Sequence, residues 1–184
     1  MVVKYTEGSD RLQLADCKVW KPSAAEPLNI ESTIEFYLRR VYSDPTAIIE
    51  RIYYDPFQMI RTAQMLTAAG FPCEPFDQTL GHLTSATENL LSLFTARGLR
   101  LYPHAELREH CLNAITVESA KGIRLAKEKQ SAKIDAAAAL SFSCLAATQS
   151  GRPVSLTAER ERPRIIYAGK SFDARAPLPR ARLK

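Results

Sequence analysis

The sequence predicts an α/β protein, a mixed sheet flanked by helices, with an extra β-hairpin before the last helix. Three observations carry this reading. Short β-branched and aromatic runs alternate with segments whose apolar residues recur at helical spacing. Two pairs of such runs are joined by turn residues. An alanine-rich segment from Asp135 to about Thr148 follows the second pair. Strand, helix and hairpin in that order fit helices packed on a mixed sheet. With 184 residues the chain can bury one sizeable core, so one main domain is expected over residues 1–150.

Val2–Tyr5 and Leu12–Trp20 flank the turn composition Glu7-Gly8-Ser9-Asp10 and predict the first hairpin. Ile30, Ile34, Tyr37, Leu38 and Val41 space a helix over 30–42, with Asn29 as its N-cap and Asp44-Pro45 as its stop. Ile48–Tyr54 is β-branched and aromatic, a buried strand. Phe57–Ala69 is an amphipathic helix closed by Gly70. Phe71–Gln78 predicts a short strand, weakened by Pro72 and Pro75. Leu83–Ala96 is a second long helix stopped by Gly98. Arg100–Cys111 is ambiguous, with helix possible over Glu106–Leu112. Ala114–Glu118 and Ile123–Lys127 form a second hairpin around Gly122, and the alanine-rich helix follows.

Charge divides the chain. Residues 151–184 hold nine Lys/Arg against three Asp/Glu, which leaves sixteen bases against seventeen acids in residues 1–150. The tail is basic and proline-bearing without apolar periodicity, so an extended or disordered segment is expected there, with a short strand at Ile165–Tyr167. Such asymmetry points to a polyanion or an acidic protein partner. Cys17, Cys73, Cys111 and Cys144 are dispersed without a Cys-x-x-Cys pair, which argues against zinc or a disulfide framework. No stretch approaches the length of a membrane span, and residues 1–30 lack a signal-peptide core. The expectation is a cytoplasmic protein.

Two acids and a basic run are the residues that could carry chemistry. Asp55-Pro56 ends an apolar strand and starts a helix. Asp135 opens the alanine-rich helix after Lys127-Glu128-Lys129-Gln130-Ser131-Ala132-Lys133. Helix capping explains either acid alone, since Asp is favoured at the N-cap and Pro at the first helical position. A helix-start carboxylate also remains free to bind a hard divalent cation such as Mg2+ or Mn2+. Lys121, Arg124, Lys127, Lys129 and Lys133 lie on or after the second hairpin, where they form either a solvated face or phosphate contacts. Ala168-Gly169-Lys170-Ser171 imitates half of a phosphate-binding loop, but Arg164 stands where the motif needs glycine. His82, His104 and His110 lack metal-ligand spacing and read as surface or packing residues.

The order Ile52-Tyr53-Tyr54-Asp55-Pro56, helix to Gly70, Gln78, helix to Gly98-Leu99, Asn113, then Lys127–Leu140 resembles the C-terminal nuclease domain of the large subunit of tailed-phage terminases, the DNA-packaging motors. The likeness spans roughly Leu12–Thr148. It implies a ribonuclease H-like fold and two-metal endonucleolytic cutting of concatemeric double-stranded DNA, with Mg2+ or Mn2+ as cofactor and the bacterial host cell as location. By position Asp55 matches the acid after the central strand, Asp135 the acid opening the last helix, and Lys127–Lys133 its basic approach. The phage portal and the small terminase subunit are the partners it implies.

Two departures bear on activity. The family places its first metal-binding aspartate on a strand before the hairpin, whereas this chain begins inside that hairpin. The ATPase domain is also outside this sequence, so a fragment, a split gene product or a prophage remnant is expected. With two acids instead of three, cutting by this chain alone should be weak or lost. The competing expectation is a non-catalytic module that docks on DNA or portal, with both acids as helix caps. If the two acids share cations, their carboxylate oxygens lie within about 4–7 Å.

Overall fold

The computed structural model describes residues 1–5, 9–23, 25, 27–44, 48–151, 165–167 and 170–172. Alternation in Leu12-Gln13-Leu14 sends both leucines inward, and this stretch builds the first hairpin: β1 (Val2–Tyr5) runs antiparallel to β2 (Leu12–Asp16). Asn29 starts the next helix as predicted, its Oδ1 accepting from Ser32 N at 3.1 Å. That helix opens with a π turn over Glu31–Glu35 and continues as α1 (Phe36–Tyr42).

β3 spans Ile52–Tyr54 and so starts later than the expected Ile48. After α2 (Pro56–Ala68) the chain returns as its parallel partner, β4 (Cys73–Pro75). Pro72 and Pro75 bring no N–H to this ladder, which limits it to three pairs. Gly70, at φ 87°, closes α2. Gly70 N bonds Thr67 O at 2.9 Å, Phe71 N bonds Leu66 O at 3.0 Å, and the Leu66 and Phe71 side chains are both buried.

α3 (Leu80–Thr95) begins a turn earlier than expected because Thr79 caps it, accepting from His82 N at 3.3 Å. Its end differs in detail from the glycine stop predicted. Arg97 takes the left-handed position at φ 53°, and Gly98 N closes onto Leu93 O at 2.7 Å. β5 (Leu99–Arg100) then pairs parallel with β2. The ambiguous stretch resolves into α4 (Ala105–Leu112). β6 (Ala114–Ser119) and β7 (Gly122–Lys127) form the second hairpin, with Gly122 at φ 112°. α5 spans Asp135–Ser150. β8 (Ile165–Tyr167) pairs antiparallel with β9 (Lys170–Phe172), so the expected tail strand is present. The extended basic tail expected over 152–164 and 173–184, and Ala168-Gly169 of the loop-like motif, lie outside the described residues.

The molecule is α/β, with parallel and antiparallel pairing and helices packed on the strands. α5 is its hub, in contact with α3, α4, β1 and β3. Its sequence is apolar nearly all round, as suits a helix covered on several sides. One core joins Leu12, Leu14, Leu90, Leu107, Leu140 and Cys144; a second joins Phe76, Ala86 and Leu145, with Tyr53 and Phe142 against it. Among the described residues the strands fall into a three-stranded mixed sheet, β1-β2-β5, and separate two-stranded pairs. Among the described residues β1 pairs only with β2 and β3 only with β4, although both strands lie on α5. No helix among the described residues is long and apolar enough to cross a membrane.

Thr87 ties the second hairpin to this core. Its buried hydroxyl donates to Leu83 O at 2.8 Å and accepts from Leu125 N of β7 at 3.0 Å. Thr87→Val keeps the shape but leaves the Leu125 amide without that acceptor. A loss of about 1–3 kcal/mol in urea unfolding is expected, with faster amide exchange confined to β6 and β7.

Candidate functional site

Asp55 follows β3 and is the N-cap of α2, as its capping explanation predicts. Its Oδ1 accepts from Phe57 N at 2.9 Å and its Oδ2 from Gln78 Nε2 at 2.7 Å. The side chain is exposed, and each oxygen keeps lone-pair capacity for a further partner. Gln78 was unassigned by sequence reasoning beyond its place in the order of motifs. A side-chain amide three residues beyond a short strand carries no signal of a partner on the neighbouring strand.

Asp135 departs from its capping explanation. Ile134 is the N-cap residue of α5 and has no side-chain oxygen, while Asp135 is the first helical residue. Its carboxylate is exposed and has no hydrogen-bond or ion-pair partner among the described residues. What remains of the structural explanation is its place at the positive end of the helix dipole, a favourable effect of about 0.3–1 kcal/mol.

The capping function falls instead to His110, which is 4% exposed in the last turn of α4. Its Nδ1 accepts from Ala136 N at 2.9 Å, so the neutral ring carries its proton on Nε2. Of the two expectations for His110, surface or packing, the structure shows a packed residue, with a capping bond that the sequence reading did not include. The signal that could have found it is Ile134: a helix starting without an Asp, Asn, Ser or Thr cap needs an acceptor from elsewhere. Asn113, just beyond α4, completes the same corner. Its carbonyl accepts from Glu128 N at 3.0 Å, and its Nδ2 donates to Lys133 O at 3.3 Å.

The five basic residues do not share one face. Lys121 lies in the tight turn of the hairpin, about 20 Å along the strand from Lys127. Arg124 and Lys127 are three residues apart on β7 and therefore project from opposite faces. Lys129 and Lys133 follow in the turn before α5, where Ala132 N bonds Lys129 O at 2.9 Å. Both are exposed and have no ion-pair partner among the described residues. The structure therefore places Lys129 and Lys133 in the short turn that leads into Asp135 at the start of α5, and leaves Lys121, Arg124 and Lys127 on the hairpin.

The residues beside Asp55 on β3 and after β4 meet the middle and far part of α5. Phe76 N bonds Tyr54 O at 2.8 Å, the Phe76 ring lies 4.3 Å from that of Phe142, and Tyr53 Oη donates to Gln149 Oε1 at 2.5 Å. Phe142 and Gln149 lie about 10 and 21 Å along the helix axis from Asp135. No hydrogen bond joins the two acids or gives them a common partner among the described residues.

The donors suit a hard cation in kind. Mg2+ takes carboxylate oxygen from one or two protein acids and fills its remaining positions with water or phosphate. Either exposed aspartate could hold such an ion on those terms. A two-ion centre asks for more, and the described residues contain no group of three or more His, Cys, Asp or Glu that could hold a metal.

Other groups have structural roles. Buried Glu35 is met by Arg39, whose Nε and Nη2 stand 2.8 and 2.6 Å from Oε1. A cleft of about 530 Å3 lies between the segment before α1 and α2, lined by Leu28, Ile30, Glu35, Arg61 and Met65, and neither candidate acid lines it. The four cysteines are free thiols. Burial pushes the thiols of Cys17, Cys73 and Cys111 up, and that of Cys144 to about 12, so they are poor nucleophiles.

No family model, curated protein or solved structure matches the chain.

Proposed function

We propose that the chain is a DNA-handling module of a phage packaging terminase, built on the ribonuclease H-like plan of the nuclease domain, with metal-dependent cutting impaired. The observation that carries this is the loop before α5. Exposed Lys129 and Lys133 lie in the turn that leads to exposed Asp135, and neither charge sign is neutralised by a partner among the described residues. An acid with a vacant coordination side next to two cations suits a phosphate backbone approached together with Mg2+ or Mn2+. The strand arrangement gives secondary support. β1 and β3 rest on the same helix, each with one edge unpaired among the described residues.

In this reading Asp55 and Asp135 would hold Mg2+ or Mn2+, which would supply activation of water and stabilisation of the leaving oxygen. The chain's own groups do the rest. Gln78 and the Phe57 amide orient Asp55, and Lys129 and Lys133 draw the phosphates. Double-stranded DNA is the substrate, and the portal and small terminase subunit are the protein partners. Portal docking without catalysis is the second reading. It is favoured by the use of both Asp55 oxygens in capping α2 and binding Gln78, and by the contacts of β3 on the far part of α5.

A plasmid-nicking assay in Mn2+ separates the two. Weak nicking is expected from the wild type and none from Asp55→Ala or Asp135→Ala. Wild-type nicking that survives both substitutions removes the acids from the chemistry. Salt-sensitive binding without nicking leaves the docking module.

A further inference from the structure

We propose that His110 and Asn113 are the positioning residues of this site, fixing the turn that carries Lys129 and Lys133, and Asp135 at the start of α5, against the end of α4. The assignment rests on the reading of that loop as the cation- and phosphate-facing part of the chain. It comes from three contacts that close on one corner. Asn113 O takes the Glu128 amide as the chain leaves β7, Asn113 Nδ2 holds the Lys133 carbonyl, and His110 Nδ1 takes the Ala136 amide. Residues 128–133, all exposed except half-buried Ala132, are therefore pinned at entry and at exit by the end of α4 and the residue that follows it, which carry none of the candidate charges.

The two residues differ in what they contribute. Asn113 is half-buried and forms two bonds with the loop, one of them through its backbone, which substitution leaves in place. His110 is buried and supplies the acceptor that Ile134 lacks, immediately after Asp135. A buried amide without an acceptor is costly, so loss of the imidazole nitrogen should release the first turn of α5. Asp135 moves with that turn. Asn can imitate this nitrogen, because its Oδ1 stands in nearly the same place on the side chain, whereas Leu fills the space without accepting.

The test compares wild type, His110→Leu, His110→Asn and Asn113→Asp by amide hydrogen exchange, with Mn2+-induced NMR line broadening as second readout. In the wild type the Ala136 amide should be protected, although the first turn of a helix has no acceptor of its own. His110→Leu should speed its exchange about tenfold, and His110→Asn should restore most of the protection. Asn113→Asp should speed exchange in residues 129–134 while leaving β6 and β7 unchanged. Mn2+ should broaden signals around Asp135 in the wild type and in His110→Asn, and less selectively in His110→Leu. An unprotected Ala136 amide in the wild type overturns the proposal, even should His110→Leu fail to fold. So does a His110→Asn variant no better protected than His110→Leu. If exchange responds as expected while Mn2+ broadens nothing near Asp135 in any protein, the positioning stands and the cation reading fails.

Discussion

Leu140→Ala is expected to lower the free energy of unfolding by about 3–5 kcal/mol, seen as a lower urea midpoint at unchanged slope. Leu140 is fully buried and sits in the core shared by β2, α3, α4 and α5. Its neighbours along the helix include Ala136, Ala137 and Cys144, all buried and too small to swing into the space left by an isobutyl group. A cavity that cannot collapse keeps the cost in the upper part of the large-to-small range. Domains of this kind have about 5–15 kcal/mol in total, so one such change takes a large share. Ile115→Ala is the control, since its side chain is 40% exposed on β6 and should cost below about 1 kcal/mol. Equal midpoints for the two variants would remove α5 from the centre of the fold.

The central place of α5 was only partly visible in the sequence. Its extent was clear, because alanine and leucine without charge over that length admit little except a covered helix. Its neighbours were not, since periodicity is local and four separate elements converge on it. Gly70 marked the end of α2 correctly because both hydrogen bonds of its turn depend on residues beside it in the chain. Arg97 carries no signal of its own, because the glycine one position later already accounts for the stop of α3. The strand over Ile48–Tyr54 is shorter than its residues suggest for a different reason: strand length depends on the partner, and Pro72 precedes that partner while Pro75 ends it.

The candidate site divides along the same line. Asp55 as the cap of α2 was legible from Asp-Pro alone, since cap, proline and helix are consecutive. Gln78 and His110 were not, because each meets its partner across more than twenty residues. The basic run looked like one cluster in sequence. Strand alternation and the span of the hairpin divide it into a tip at Lys121, opposite faces of β7 at Arg124 and Lys127, and a turn at Lys129 and Lys133.

That division gives the loop a quantitative test. If Lys129 and Lys133 each meet a DNA phosphate, the Lys129→Ala, Lys133→Ala double variant should lower the slope of log affinity against log salt by about 1.8. A fourfold rise in salt, from 50 to 200 mM, should then shrink the ratio of wild-type to variant affinity about twelvefold. The effect should be uniform across DNA sequences, since lysines on phosphate position without reading bases. Fluorescence anisotropy with a short duplex at four salt concentrations measures it. Asp135→Asn belongs in the same titration. Without metal it should tighten binding, because one repelling charge beside the two lysines is gone. With Mn2+ it should bind no better than before, because the carboxylate that would hold the ion is absent. An unchanged slope in the double variant takes the loop away from phosphate. Mn2+ enhancement that survives Asp135→Asn leaves Asp135 with the helix dipole as its only physical function.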